Sequence, residues 1–258
     1  PPLKEAGAQG FAAEIESLLE EYAEAQGLDQ RRARLLADEQ QLDRLALAQQ
    51  LIHRAAGQLG DVAVETTGKA AIVDPGGDVE RVLAAVEKMD ASVEKILLTH
   101  AHMDHCAAAD VLRQQLGVAI EGPQREDQFW LDKLPEWCQM AGFPHADAFL
   151  PDRWLEQGDT VTVGEQVLRV FHCPGHTPGH VVFLYEAQKV AWVGDVLFQG
   201  SIGRTDFPRG NHEQLVASIR DKLFPLGDDI TFIPGHGPTS TFGQERRTNP
   251  FVADSRYG

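Results

Sequence analysis

The sequence predicts an α/β fold that follows an N-terminal helical hairpin. Residues 1–60 carry apolar side chains at helical spacing, as in Phe11, Ile15 and Tyr22, and this spacing indicates amphipathic helices. From residue 61 onward, short apolar runs alternate with helical segments, which is typical of βαβ units. We therefore predict a helical appendage over residues 1–60 and an α/β domain over residues 61–258.

The elements of the α/β domain are bounded by glycine, proline and aspartate turns. Strands are predicted where apolar or β-branched residues run together, and helices where apolar residues recur three or four positions apart. The loop at 74–77 separates the first strands from the first helix, and the stretch around Trp130 and Trp137 has no clear period. The predicted strands are near residues 61–65, 70–73, 96–98, 118–120, 160–172, 181–186, 189–194 and 230–233, and the predicted helices are near 79–86, 107–116 and 211–223.

Composition and charge disfavour several classes of protein. No apolar run is long enough to cross a bilayer, and the N-terminus has no basic segment followed by an apolar one, so neither a membrane span nor a secretory signal is predicted. The net charge of −16 disfavours binding to nucleic acids or anionic lipids, because like charges repel. The three cysteines are too few for a disulfide framework and indicate a reducing compartment, hence the cytoplasm.

A dense cluster of metal-binding side chains follows a predicted strand, in the run THAHMDH at residues 99–105. Because alternating residues project together from a strand-end loop, His100 and His102 can reach one point. Asp104 and His105 can turn to a second point beside it. Imidazole and carboxylate ligands suit zinc, iron or manganese, so we predict two divalent metal ions, with zinc as the first choice.

Three further strand ends carry metal-capable side chains. His176 lies in the run HCPGHTPGH, Asp195 follows a strand through a single glycine, and His236 lies in the run PGHGP. Each time the order is an apolar strand, a glycine and then a metal-capable side chain. Ligands at the ends of rigid strands converge with little conformational freedom left to lose, so all of these loops are predicted to meet at one site.

The remaining histidines and cysteines are predicted to be structural. His172 is expected to pack at a strand end, and His180 to support the metal-binding loop from behind the ligands. Ordinary helix, loop or core positions are expected for His53, His145, His212, Cys106 and Cys173.

These residues resemble the metallo-β-lactamase superfamily, with a match from about residue 60 to the C-terminus and a specific THxHxDH motif. The resemblance implies an αβ/βα sandwich with the site at one edge of its two sheets, and Thr99 and His180 as residues that support the ligands. It implies a first metal site of His100, His102 and His176, a second of Asp104, His105 and His236, and a bridging Asp195.

Within the superfamily, several stretches are similar to glyoxalase II, the hydroxyacylglutathione hydrolases. They are VDPGG at 73–77, GHTPGH at 175–180, GRTDFPRG at 203–210, FIPGHGP at 232–238 and NPF at 249–251. They look like the short bacterial branch, which lacks a C-terminal helical domain. The resemblance implies hydrolysis of S-acyl thiols such as S-lactoylglutathione by a hydroxide shared between two ions.

In such a reaction Asp104 would be catalytic, because it can accept a hydrogen bond from the hydroxide and aim it at the carbonyl carbon. The thiolate leaves without an acid, since a thiol has a pKa of roughly 8.5. Phe198 and Arg204 are candidates for contact with the substrate, although Asp206 beside Arg204 favours a local ion pair instead.

Other functions share parts of this pattern. Persulfide dioxygenases of the same fold also resemble the GRTDF run, and would bind one iron through His100, His176 and Asp195. A β-lactamase is disfavoured because such enzymes usually carry a secretory signal and lack a bridging aspartate, and a nuclease is disfavoured by the acidic charge. A protein without enzymatic activity, in which the metal only stabilises the fold, would be expected to lack a ligand. None of the seven candidate ligands is missing.

The helical hairpin departs from the family pattern, because it stands where the first strand should be. Residues 1–8 and 21–28 faintly resemble a segment of the large subunit of aerobic cobaltochelatase, which implies a fusion remnant without chelatase chemistry. A role in packing or dimerisation is predicted for this segment. The expected partners are therefore a small-molecule thioester and a second copy of the chain.

Overall fold

The computed structural model describes residues 61–64 and 68–254 of the chain. The predicted helical hairpin, with its cobaltochelatase-like segments and His53, lies outside the described residues. Within the described residues, no helix is both long enough and apolar enough to span a membrane.

The first sheet has four strands in the order in which they occur in the chain. The first pair is antiparallel and the other pairs are parallel, so helices must carry the chain back across the sheet between the parallel strands. The strands are β1 (Asp61–Val64), β2 (Lys69–Val73), β3 (Ser92–Leu97) and β4 (Ala119–Glu121), and the connecting helices are α1 (Val79–Lys88), α2 (Met103–Cys106) and α3 (Ala109–Leu116).

The second sheet has six strands, and its strands β8 and β11 form a parallel pair among antiparallel neighbours. Its order is β12 (Ser240–Thr241), β11 (Thr231–Pro234), β8 (Val190–Gly194), β7 (Val181–Tyr185), β6 (Gln166–His172) and β5 (Thr160–Val163). A separate small hairpin pairs β9 (Leu197–Phe198) with β10 (Ser201–Ile202).

The stretch without a clear period in the sequence is helical. It contains the 3₁₀ turn Arg125–Asp127 and helices α4 (Gln128–Asp132) and α5 (Leu134–Ala141). Helix α6 (His212–Ala217) continues as a π-helical segment over Ser218–Leu223, and α7 (Phe242–Thr248) follows β12. Asn211 caps α6 and Thr241 caps α7 through their side-chain oxygens, which explains where both helices begin.

The helices cover the outer faces of the two sheets. One apolar cluster joins the first sheet to helices α1 and α3 to α5, for example through Ile96, Val82 and Leu131. A second cluster joins the second sheet to α6 and α7, for example through Val193 and Leu215. Strands β7 and β8 are buried on both faces, as expected for sheets that pack in a sandwich between helical layers. The α/β fold predicted from the sequence is confirmed.

Candidate metal centre

Four loops at strand ends bring the predicted ligands together. The loop after β3 carries the run at 99–105, and the turn between β6 and β7 carries His176. Asp195 directly follows β8, and His236 follows β11. Within each of two groups, the candidate ligand atoms lie within 4.8 Å of one another, and the groups are His100 with His102 and His176, and Asp104 with His105 and His236.

The first group consists of three buried histidines. His176 Nε2 lies 3.0 Å from His102 Nδ1, while His176 Nδ1 donates to the Arg204 carbonyl oxygen at 2.7 Å. Thr99 Oγ1 donates to Asp74 at 2.5 Å, so its 3.0 Å contact with His100 Nδ1 requires this nitrogen to donate. The tautomers of His176 and His100 are therefore fixed, and the Nε2 lone pair of each is available as a ligand.

The second group lies closer to solvent. His236 Nε2 lies 3.1 Å from Asp104 Oδ2 and 3.2 Å from His105 Nε2. The side chain of His105 is buried, whereas those of Asp104 and His236 are 25% and 39% exposed. A substrate can therefore approach this group from the solvent side.

Asp195 lies between the two groups. Its Oδ2 is 3.6 Å from His176 Nε2 in the first group and 3.7 Å from His236 Nε2 in the second. Its Oδ1 is 3.4 Å from His105 Nε2. One carboxylate thus faces ligand atoms of both groups, which is the arrangement expected of a bridging residue.

Asp74 is a buried residue of the site to which the sequence analysis assigned no role. It also forms a third potential ligand group with His100 and His105. However, its oxygens already accept from the Thr99 amide at 2.7 Å and the Thr99 hydroxyl, and His105 Nδ1 lies 3.1 Å from Oδ2. Asp74 therefore orients His105 and Thr99 rather than offering a free ligand atom. The signal that could have found it is an aspartate at a strand end before Pro-Gly-Gly.

Thr99 and His180 lie behind the candidate ligands. His180 stacks on His100 with ring centroids 4.6 Å apart, and its Nε2 accepts the Asp195 backbone amide at 3.1 Å. Gly194 permits this contact, because a Cβ there would lie 2.4 Å from Thr99 Oγ1 and 2.8 Å from the His180 ring. His172 lies at the end of β6, where its Nε2 is 2.8 Å from the Pro178 carbonyl oxygen, away from both groups.

Electrostatics favour neutral imidazoles in the first group. Burial lowers the pKa of His100 and His102 well below the usual value, and neighbouring histidines lower it further. Burial also lowers the pKa of His176, although Asp195 opposes the shift. These rings are therefore uncharged at neutral pH, which is the form in which histidine binds a metal ion.

In the second group, neighbouring opposite charges outweigh the effect of burial on the pKa values. Burial lowers the pKa of His105, but Asp195, Asp74 and Asp104 outweigh it and raise this pKa to about 10. Burial raises the pKa of Asp104, but the hydrogen bond with His236 and the charge of His105 hold it below the usual value. The Asp104 carboxylate is thus ionised at neutral pH, and its negative charge attracts cations.

The donor set fits a pair of divalent ions. In the part of the chain that the structure describes, His100 Nε2 and Asp195 Oδ1 are buried without a hydrogen-bond partner. Buried polar atoms normally have partners, so these two unpaired atoms at the site indicate that something else satisfies them. Nitrogen and carboxylate oxygen donors in this number suit zinc, iron or manganese.

Comparison with known proteins agrees with this geometry. The sequence pattern of the metallo-β-lactamase superfamily matches residues 62–244. The chain belongs to the metallo-β-lactamase superfamily. The family and the sandwich fold that the sequence resemblance implied are therefore confirmed.

Several members of the superfamily are similar over most of their length. Hydroxyacylglutathione hydrolase GloC of Haemophilus influenzae is 52% identical over 184 residues, which cover 71% of this chain and 87% of that protein. The crystal structure of the BLEG-1 B3 metallo-β-lactamase is 38% identical, has a TM-score of 0.69, and covers 74% of this chain and 92% of its own. The crystal structure of TTHA1623 in a di-iron-bound form is 35% identical, with a TM-score of 0.68 and coverages of 74% and 96%.

Aromatic rings lie beside both groups of candidate ligands. Phe207 and Trp130 contact His102 edge-on, with ring centroids 4.7 and 4.5 Å away. The Phe198 ring lies 6.4 Å from that of His236. These rings give both groups of candidate ligands an apolar wall.

Arg204 forms the local ion pair that Asp206 favoured. Its Nε and Nη2 donate to the Asp206 carboxylate at 2.7 and 2.6 Å, and both side chains are largely exposed. The guanidinium also stacks over the Phe207 ring at 4.4 Å. Arg204 therefore stands at the rim of the site, one ring removed from the first group of ligands.

Proposed function

We propose that the chain is a metal-dependent thioester hydrolase that acts on S-acyl thiols such as S-lactoylglutathione. The observation that carries this proposal is the position of Asp195, whose carboxylate faces ligand atoms of both groups. The similarity to the hydroxyacylglutathione hydrolase GloC supports the substrate class. A centre that held a single ion would need only one of the two groups.

The proposed ligands divide as the sequence resemblance implied. The first ion would be held by His100, His102 and His176, the second by Asp104, His105 and His236, and both by Asp195. Divalent ions held there would lower the pKa of a bound water to roughly neutrality and stabilise charge on a carbonyl oxygen. Zinc is our first choice, and the di-iron form of TTHA1623 keeps iron as an alternative.

Asp104 is the proposed catalytic residue. Its low pKa keeps it ionised, and its partial exposure places the carboxylate where the attacking water must lie. It can accept a hydrogen bond from this water and orient it toward the carbonyl carbon of the substrate.

The cysteines are unsuited to act as nucleophiles. Burial raises the pKa of Cys173 to about 12 and that of Cys106 well above its usual value. Direct attack by water is therefore favoured over a covalent route through a cysteine thiolate. The thiolate of a thioester leaves without protonation. Because Cys106, Cys138 and Cys173 are unpaired thiols, they also support our proposal of a reducing, cytoplasmic location.

Phe198 and Arg204 are the proposed contacts for the substrate. Phe198 stands beside the more exposed second group and can pack on the acyl portion. Arg204 is exposed at the opposite rim, over Phe207, where a carboxylate of the thiol carrier can compete with Asp206 for the guanidinium.

Metal analysis combined with two assays tests the proposal. The purified full chain should contain two ions per molecule, should release thiol from S-lactoylglutathione and should consume no oxygen with glutathione persulfide. One iron per chain with oxygen uptake and no thiol release would instead identify a mononuclear persulfide dioxygenase, and would overturn the proposal.

Asp195→Ala tests the bridging role. It should abolish thiol release and remove most of the second ion, because both groups lose a shared ligand. Asp147→Ala is the matched control, since it removes an exposed carboxylate whose one ion pair with the described residues is to His145. Full activity with two ions in Asp195→Ala would contradict the bridging role.

A further inference from the structure

Asp127 is a buried carboxylate that is not among the proposed ligands. It ends the 3₁₀ turn Arg125–Asp127, between β4 and α4, and none of its surface reaches solvent. Three groups donate to it, namely the Ala101 amide at 3.1 Å, the Thr177 hydroxyl at 2.8 Å and the Gly179 amide at 2.6 Å.

Two of the three donors are neighbours of proposed ligands in the chain, and the third, Gly179, lies in the same loop as His176. Ala101 stands between His100 and His102 in the chain, and Thr177 directly follows His176. A single side chain thus fastens the two loops that supply the whole first group of ligands. None of the three ligand side chains is needed for this contact.

The turn that carries Asp127 also approaches the second loop through its backbone. The Gln124 amide donates to the Gly179 carbonyl oxygen at 2.9 Å. A Cβ at Gly179 would lie 2.4 Å from the Gln124 carbonyl oxygen and 2.6 Å from the Asp127 nitrogen. Only glycine lets the two segments approach this closely, and this approach puts the Gly179 amide within reach of the carboxylate.

The two sheets are joined near this point by a separate contact. The Val181 amide donates to the Thr99 carbonyl oxygen at 2.8 Å, where both loops leave their strands. This bond joins the two sheets without Asp127. The Asp127 carboxylate binds the same two loops at Ala101, Thr177 and Gly179, closer to His102 and His176 than the bond between Val181 and Thr99.

We propose that Asp127 is a positioning residue that holds His100, His102 and His176 in the geometry required by the first ion. This inference rests on the metal centre of the proposed function. Ligands are precise only when neighbouring contacts fix their backbone, so loosening these loops weakens binding of one ion selectively.

Asparagine cannot replace this carboxylate without loss. Asp127 Oδ2 accepts from Ala101 and Thr177, and Oδ1 accepts from Gly179. Whichever position the asparagine NH₂ takes, it faces a backbone N–H, and two donors cannot pair. Asp152 provides the matched control, because among the described residues its carboxylate contacts are made by Oδ2, which accepts the Ile120 amide at 2.8 Å and lies 3.7 Å from Arg113 Nη1. An asparagine there can keep its oxygen in this place.

The experiment measures Zn²⁺ binding to the full chain by competition with a chromophoric chelator, and the absorption spectrum of the Co²⁺-loaded protein. In Asp127→Asn, we expect the affinity for one ion to fall about 10- to 100-fold, while the other stays within about threefold of the wild type. The Co²⁺ bands of one site should change, and kcat should fall more than KM rises. Asp152→Asn should resemble the wild type in every measurement.

A second pair of variants keeps the inference testable if Asp127→Asn fails to fold. Thr177→Val removes one donor and should weaken the same ion, and Thr177→Ser keeps the hydroxyl and should restore its affinity. Equal weakening of both ions, or unchanged Zn²⁺ affinities in both Asp127→Asn and Thr177→Val, would overturn the positioning role. A wild type that binds two ions but hydrolyses no thioester would refute the proposed function alone, and the affinity difference would still support the role of Asp127.

Discussion

Replacing Gly76 by alanine should damage the metal centre, although Gly76 offers no ligand. The glycine lies in the loop after β2, and its Cα packs against the backbone of α2, which carries Asp104 and His105. An added Cβ would lie 1.8 Å from the Asp104 carbonyl oxygen and 2.4 Å from its carbonyl carbon, where real contacts need at least 3.0 Å. The obstacle is backbone, so no side chain can rotate away to relieve the overlap.

The size of the effect follows from this overlap. The loop or α2 must move by more than about 1 Å, and overpacking of this kind typically costs about 1–3 kcal/mol, with the upper end expected for a backbone obstacle. For a domain of this size, each kcal/mol lowers the melting temperature by roughly 2–4 °C. Because a displacement of about 1 Å at catalytic groups can cost about 100-fold in rate, activity should fall far more than stability.

Gly77→Ala is the control in the neighbouring position. A Cβ at Gly77 meets nothing within 4 Å, and neither glycine has a positive φ, so this alanine should change stability by less than about 1 kcal/mol. Melting temperature, bound metal and thiol release are measured for both variants. If Gly76→Ala kept two ions and the activity of Gly77→Ala, the packing of this loop against α2 would not position the site.

Three other changes probe different parts of the molecule. Phe198→Ala should raise KM for a thioester about fivefold with unchanged metal content, because a half-buried apolar wall is lost; an unchanged KM would remove Phe198 from the substrate site. Glu245→Gln should cost less than about 1 kcal/mol of unfolding free energy, because the Ser240 hydroxyl can accept from the new amide. Glu245→Met should cost about 1–3 kcal/mol, because the buried Asn249 side-chain amide and the part-buried Gly200 amide lose an acceptor, and equal urea midpoints for the two variants would contradict this reasoning. Burial raises the pKa of Asp127 to about 7 despite its hydrogen bonds, whereas an unfolded aspartate has a pKa of about 3.9, so folding takes up a proton between these values. Metal-free wild type should therefore lose stability relative to Asp127→Asn as the pH rises from 5 to 8, by at most about 1.4 kcal/mol per pH unit, and parallel urea profiles would refute it.

The spacing of ligands within one loop could be predicted from the sequence. His100, His102, Asp104 and His105 lie within six residues after a strand, so the geometry of a short segment already separates them into two pairs. The strands themselves followed from apolar runs between turns. These predictions depend on neighbours in the chain, whose relative positions are limited by the backbone.

The assignment of His176 and His236 to separate groups of ligands could be predicted only through resemblance to a family. His176 and His236 are 60 residues apart, and no local pattern fixes the distance between them. The structure brings each to a separate group and places Asp195 between these groups. The parallel pairing of β8 with β11 is the physical cause, because it carries Asp195 and His236 to the same edge of one sheet.

The roles of Asp74 and Asp127 were decided by tertiary structure. In the sequence, Asp127 lies within the polar run Gln-Arg-Glu-Asp-Gln and resembles a solvated turn, yet it is fully buried and accepts from three donors. The sequence by itself thus determined the fold class, the types of ligand and their order along the chain. Which carboxylates are buried, and which groups donate to them, was settled only when segments distant in the chain packed together, since burial and hydrogen-bond partners are properties of that packing.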